Sequence, residues 1–290
     1  MGIRPHLLLL LSFLLTILSG CSHGEGDSQK RVSAEDSAQG TVASERTESA
    51  PTDTLPPGVS ALLESYPRSI RGYEDGYLIM SSGEKILYDD GREKSFTEML
   101  DESDPQDQFF VIYDSDHLPP EYLSDAGRSR CEKLFKSMYG NSEEAVRKHL
   151  VDVDWFGSKV PFTEVNGAAE ALRMVEADIK ASGRTFTGGL LKSSGTFYWR
   201  KVRGANRQSA HSYGIAIDIG VPQSDYWLWK NPGASETDRI SYANRMPAEL
   251  VKIFERHGFI WGGAWYHYDT MHFEYRPEII AFAKKSRSDK

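Results

Sequence analysis

The hydrophobic pattern of the chain changes near residue 56. From Ser22 to Pro56 there is no aromatic residue, and the only large aliphatic side chains are Val32, Val42 and Leu55. Such a stretch buries too little apolar surface to offset the entropy of ordering it, so a disordered tether over 21–58 is expected. Beyond it the apolar positions become periodic. Tyr77 to Met80 and Lys85 to Tyr88, separated by Ser82-Gly83, predict a hairpin followed by a turn at Asp89-Asp90-Gly91. Phe109 to Tyr113 predicts a further strand. Cys131, Leu134, Phe135 and Met138 recur at helical spacing until Gly140, and a second helix opens at Ser142 with Glu143 and Glu144 in its first turn. A third carries Val165, Ala168, Leu172, Val175 and Ile179 and ends near Gly183. Strands are then expected at 197–199, 215–219 and 271–275, the last stopped by Pro277. Between them Pro247 to His257 reads as a helix with Pro in its first turn and Gly258 after its last. This order is α+β rather than alternating βαβ: a small antiparallel sheet with helices packed on it.

The N-terminus has a different logic. Arg4 precedes an apolar run from Leu7 to Leu18 that ends in Leu18-Ser19-Gly20-Cys21. Twelve residues are too few to span a hydrocarbon core of about 30 Å, so residues 1–20 read as an export signal. The residues before Cys21 resemble the lipobox of bacterial lipoproteins. That resemblance implies acylation of Cys21, a membrane anchor through its lipid, and a place in the cell envelope facing the periplasm or the extracellular side. The alternative is an ordinary signal peptide with an incidental cysteine. Cys131 is the only other cysteine, and with Cys21 acylated it has nothing to pair with; its helical spacing marks it as a buried helix residue.

The net charge of −8 excludes a polyanion-binding surface of the usual clustered-cation kind, so no nucleic-acid partner is expected. No feature of the sequence bears on oligomeric state.

Two segments concentrate chemistry: Ser209-Ala210-His211-Ser212-Tyr213-Gly214-Ile215-Ala216-Ile217-Asp218 and Trp265-Tyr266-His267-Tyr268-Asp269-Thr270-Met271-His272-Phe273-Glu274. Each sets His and Asp beside an expected strand. Catalytic zinc takes three protein ligands from His, Asp or Glu and keeps a fourth position open. His211, Asp218 and His272 supply that set if the strands pair.

These segments resemble the D-alanyl-D-alanine carboxypeptidase and dipeptidase family of zinc peptidases, which includes L-alanyl-D-glutamate endopeptidases. The family pattern is Ser-x-His, six residues, Asp, and later Asp or Glu-x-x-His, and the likeness runs from about Val160 to Glu274. It implies one zinc ion on His211, Asp218 and His272, with Asp269 as the base for the attacking water. Arg200 would steady the oxyanion or a substrate carboxylate, and Arg203 and Arg207 compete for that role. It also implies a peptidoglycan peptide as substrate and a fold like that of Hedgehog and D-Ala-D-Ala peptidases. Family members commonly have Glu where Asp269 stands, one methylene longer.

The corresponding organisation is a signal over 1–20, the tether, an accessory region over 59–125, the peptidase domain over 126–284 and a tail over 285–290. A catalytically inactive zinc-containing cell-wall-binding module is the alternative reading. A lone His-x6-Asp is a weak pattern, and isolated His, Asp or Arg residues more often serve as surface or structural groups. Two motifs in family order, with matching flanks at Gly214, Ala216, Phe273 and Glu274, carry more. His267 is expected to be structural or to support a ligand, His149 and His257 to be ordinary helix residues, and Glu274 either to support His272 or to be solvated. The cluster Tyr226, Trp227, Trp229, Trp261, Trp265, Tyr266 and Tyr268 reads as packing, with a peptide groove as its second use. Residues 221–244 are expected to form a loop over the cleft.

Overall fold

The computed structural model describes residues 55–288; the expected export signal, Cys21 and the expected tether up to residue 54 lie outside them. The described chain is α+β, with three antiparallel sheets and eight helices. Helix α1 (Pro57–Ser65) leads into a meander of β1 (Ile70–Glu74), β2 (Tyr77–Met80) and β3 (Lys85–Leu87). Short α2 (Phe96–Asp101), α3 (Glu132–Tyr139) and α4 (Glu143–Arg147) precede a hairpin of β4 (Leu150–Trp155) and β5 (Ser158–Thr163). Then follow α5 (Ala168–Ala181), β6 (Ser193–Gly195), β7 (Ala216–Ile219), α6 (Trp227–Lys230), α7 (Ala248–Arg256), β8 (Phe259–Trp261), β9 (His272–Tyr275) and α8 (Pro277–Ser288). The last sheet has the order β6-β7-β9-β8.

Local sequence accounts for most of these elements. The Ser142 side chain accepts from Ala145 N and caps α4. Helix α3 stops at Gly140, whose φ of 122° is in glycine territory. Helix α7 buries Leu250, Val251, Ile253 and Phe254 on one stripe. Phe254 stacks on Phe273 of β9 at 3.9 Å between ring centroids. With Phe273 turned into the core, strand alternation sends His272 and Glu274 to the other face of the sheet.

One hydrophobic core runs from Val59 to Ala283, drawing on α1, the meander, α3, α5, α7, α8 and the central sheet. Among the described residues no helix is long and apolar enough to cross a membrane.

Several expectations give way to packing. Phe109–Tyr113 is not a strand: Asp107–Phe109 forms a single 3-10 turn, held by Asp107 accepting from Lys94 Nζ and Asp104 N. Phe197–Trp199 makes no ladder; Tyr198 N instead donates to His211 O. Cys131 is buried but sits at the N-cap of α3, and His149 lies in the turn after α4. Pro277 ends β9 by opening α8, which runs through the expected tail to Ser288. Helix α1 starts at Pro57, one residue before the expected end of the tether.

Candidate metal centre and active site

Residues 209–214 form a tight turn that aims His211. After Ser209, Ala210–Tyr213 winds as a 3-10 helix and Gly214 closes it at φ +67°. Ser212 Oγ accepts from Arg200 N and Gln208 Nε2, so the turn is tied to the segment before it. The chain then enters β7, where Ala216, Ile217 and Ile219 are buried and Asp218 is part-buried. Asp218 is the register partner of His272 on β9.

The three side chains meet. Asp218 Oδ1 lies 3.3 Å from His211 Nε2 and 3.0 Å from His272 Nδ1. A tetrahedral site with bonds of about 2.0–2.1 Å separates its ligands by roughly 3.3 Å, so these two separations match edges of such a site. The remote ring nitrogens are engaged as ligand histidines require. His211 Nδ1 donates to the Thr196 carbonyl at 2.7 Å, and His272 Nε2 donates to Glu274 at 3.3 Å. The two histidines thus turn opposite ring nitrogens to one point.

Electrostatics favours positive charge there. Burial works against an ionised Asp218, yet His211 and His272 hold its carboxyl well below the usual range. Burial likewise opposes a charged His272, but hydrogen bonds to Asp218 and Glu274 raise it to about 10.

Asp269 faces the same cavity, of about 390 Å³. Its Oδ1 is closed off from water and lacks a hydrogen-bond partner, an orphan that implies a ligand or substrate proton. Burial and the charge of Asp218 push Asp269 up to about 7. The aromatic cluster divides: Trp261 and Tyr268 are core, Trp265 is buried yet lines the cavity with Trp227, and Trp229 is 56% exposed and lines it beside Tyr226. Within 221–244, Tyr226, Trp227 and Trp229 thus form part of the cavity wall.

Five arginines line this cavity: Arg128, Arg130, Arg200, Arg203 and Arg207. Three are engaged. Arg128 pairs with Asp125 and Glu236, Arg130 with Glu274, and Arg207 with Asp101. Arg200 and Arg203 are exposed at the rim, and among the described residues no carboxylate lies in salt-bridge range of either. Of the three arginines competing for a substrate role, Arg207 is therefore already committed to structure.

His267 is buried against the wall. Its Nδ1 donates to Asp125 at 2.6 Å, its ring stacks on Phe96 and meets Trp227 edge-on, and Nε2 is unpartnered. Asp125, Glu236 and His267 form a second cluster with metal-ligating side chains, but Arg128 already bridges its carboxylates. Lys94 plays the same part among Asp90, Asp104 and Asp107, next to a third cluster of Asp89, Asp90 and Asp104. His257 caps α7 and pairs with Asp178. Burial pushes the Cys131 thiol up to about 11, which leaves it unreactive. A smaller cavity of about 250 Å³ beside α7 and α8 contains no motif residue. Its charges Lys252, Glu255 and Arg287 are paired with one another or with Asp114 and Asp116.

Sequence reasoning missed Asp125, Arg128, Arg130 and Glu236. They carry no local motif, and only folding brings them to the wall.

No curated protein and no solved structure matches the chain. A family model described as D-alanyl-D-alanine carboxypeptidase matches residues 203–275. The segment that carries His211, Asp218, Asp269 and His272 is therefore similar to the D-alanyl-D-alanine carboxypeptidase family of peptidases.

Proposed function

We propose that this chain is a zinc-dependent peptidase that hydrolyses peptide bonds in peptidoglycan stem peptides. The observation that carries the reading is the convergence of His211 Nε2, Asp218 Oδ1 and His272 Nδ1 beside an Asp269 oxygen with no other partner. One zinc ion held by those three atoms would supply a Lewis acid and a water acidified to a pKa of about 7.

The remaining work falls to side chains. Asp269 takes a proton from the attacking water as its oxygen bonds to the scissile carbonyl carbon. It returns that proton to the departing amine as the C–N bond breaks. A carboxyl that burial holds near neutrality suits both transfers. Arg200 and Arg203, cationic and uncommitted at the rim, suit a substrate with a free carboxylate, as a carboxypeptidase requires. Arg200 is the residue we assign to the oxyanion or terminal carboxylate. Trp265, buried behind His272, shields that ligand from bulk water.

We assign the protein to the cell envelope, anchored by lipid on Cys21, with the tether giving the catalytic unit reach into the wall. The inactive-module alternative gives no reason for an unpartnered Asp269 beside the cluster. The test is mass spectrometry of defined stem peptides after digestion, run with and without a chelator and with Asp269→Ala. Release of an amino acid or peptide that stops in both controls supports the reading. Equal binding to cell wall by wild type and Asp269→Ala, with no cleavage by either, supports the inactive module.

A further inference from the structure

We propose that Glu274, clamped by Arg130 and Arg276, is the positioning carboxylate of the metal centre. It fixes the His272 ring with Nδ1 toward the cation and so sets the affinity for zinc. The inference rests on the zinc site proposed above.

The geometry starts from β9. Residues 272 and 274 share a strand face, so Glu274 stands beside His272 and accepts from its Nε2. Glu274 is fully buried, and a buried carboxylate is costly unless it is paired and hydrogen-bonded. Here two guanidiniums hold it. Arg130 donates through Nε at 2.8 Å and an Nη at 3.0 Å, and Arg276 through Nη1 at 3.1 Å. A paired fork of this kind fixes the carboxylate plane as well as its charge.

The clamp is itself held. Arg276 donates to Glu278 at 2.5 Å, to the Gly127 carbonyl at 2.7 Å and to Gln108 at 3.2 Å, and lies over the Phe135 ring. Glu278 accepts from Tyr66, which follows α1. Two arginines and two glutamates cancel in charge, so the network orients the ring without adding net charge beside the metal.

The two ligand histidines differ in what can be changed. His211 is oriented by a backbone carbonyl, which no substitution removes. His272 is oriented by a side chain; without it, a half-turn of the ring about Cβ–Cγ would put the carbon Cδ2 where Nδ1 now stands. Arg130, Gly127 and Gln108 all lie outside the segment that matches the peptidase family.

The experiment measures the zinc dissociation constant of the full chain by competition with a chromophoric chelator. Glu274→Ala is expected to weaken zinc by about 10- to 100-fold, as loss of a ligand's hydrogen-bond partner typically does. Glu274→Gln, which keeps an acceptor, is expected to lose less. Arg130→Gln should weaken zinc more than Arg130→Lys does. Lys94→Met breaks a part-buried ion cluster away from the cavity, so it should lower Tm and leave zinc affinity unchanged. Long-range nitrogen–proton NMR of the zinc-loaded wild type should place the His272 proton on Nε2 and that of His211 on Nδ1.

Folded Glu274→Ala or Arg130→Gln with wild-type zinc affinity overturns the proposal, as does a His272 proton on Nδ1. Arg130→Gln and the wild-type NMR decide the matter where Glu274→Ala does not fold. A wild-type chain that binds no zinc overturns both this inference and the function proposed above. Zinc binding by wild type with unaltered variants overturns this inference alone.

Discussion

Asp218 and His272 face each other across β7 and β9 as register partners, and the side-chain atoms Oδ1 and Nδ1 are 3.0 Å apart. The pairing of two strands thus forms one edge of the proposed metal centre. His211 forms the next from a turn that ends where β7 begins. Both elements are backed by core side chains, Phe273 against Phe254 on one strand and Ile217 and Ile219 on the other. Ligands mounted on so rigid a base keep their spacing before any ion arrives.

Metal content is the first expected outcome. The purified chain should carry one zinc by elemental analysis. His211→Ala, His272→Ala or Asp218→Asn should each abolish stoichiometric zinc, because three protein donors are the minimum for a catalytic site of this type. Chelation should stop hydrolysis and added zinc restore it. Wild-type stoichiometry in His272→Ala would sink the ligand assignment.

Asp269→Asn keeps size and removes the proton acceptor. The expected result is a fall in kcat of about 10²- to 10⁴-fold with zinc content unchanged. A fall in zinc content instead would make Asp269 a ligand rather than a base.

Acid should unfold the protein through its buried carboxylates. Burial opposes ionised Asp125, but Arg128 and His267 hold its carboxyl below the usual range, and Arg128 does the same for Glu236. Carboxyls depressed in the folded state stabilise it above their unfolded pKa of about 4 and lose that contribution as pH falls through the folded values. Urea midpoints should therefore hold steady from neutral pH to about 5 and drop below about 4. Asp125→Asn should flatten the acid limb; an unchanged limb would show that other groups govern it.

Gly214 is expected to resist substitution for two separate reasons. Its φ is +67°, and a Cβ there would come within 2.6 Å of Leu150 Cδ2 and 3.3 Å of Thr163 N. Gly214→Ala should cost about 1–3 kcal/mol in urea unfolding. It should also weaken zinc, because Gly214 N donates to His211 O. A variant as stable as wild type would remove the strain argument.

What could be read in the linear chain was whatever depends on neighbours. Apolar spacing placed α5 and α7, the Ser142 cap placed α4, and the Ser-x-His and Asp-x-x-His spacings singled out His211, Asp218, Asp269 and His272. Hairpin β4–β5 was overlooked although Val151, Val153 and Trp155 alternate, and β6, a Ser-Ser-Gly triplet, carries no signal at all.

Tertiary structure decided the rest. It committed Arg207 to Asp101 and left Arg200 and Arg203 at the rim, settled Glu274 as buried and bonded to His272, and made Phe109–Tyr113 a turn and loop. It also carried Arg128 and Arg130 to the cavity, and Asp125 to the back of His267, from a segment with no motif of its own. The physical reason is range. A period, a cap or a metal motif is encoded within a few residues, whereas the partner of a buried charge is chosen by whichever opposite charge the folded core brings within reach. For Glu274 one such partner, Arg130, lies 144 residues away along the chain.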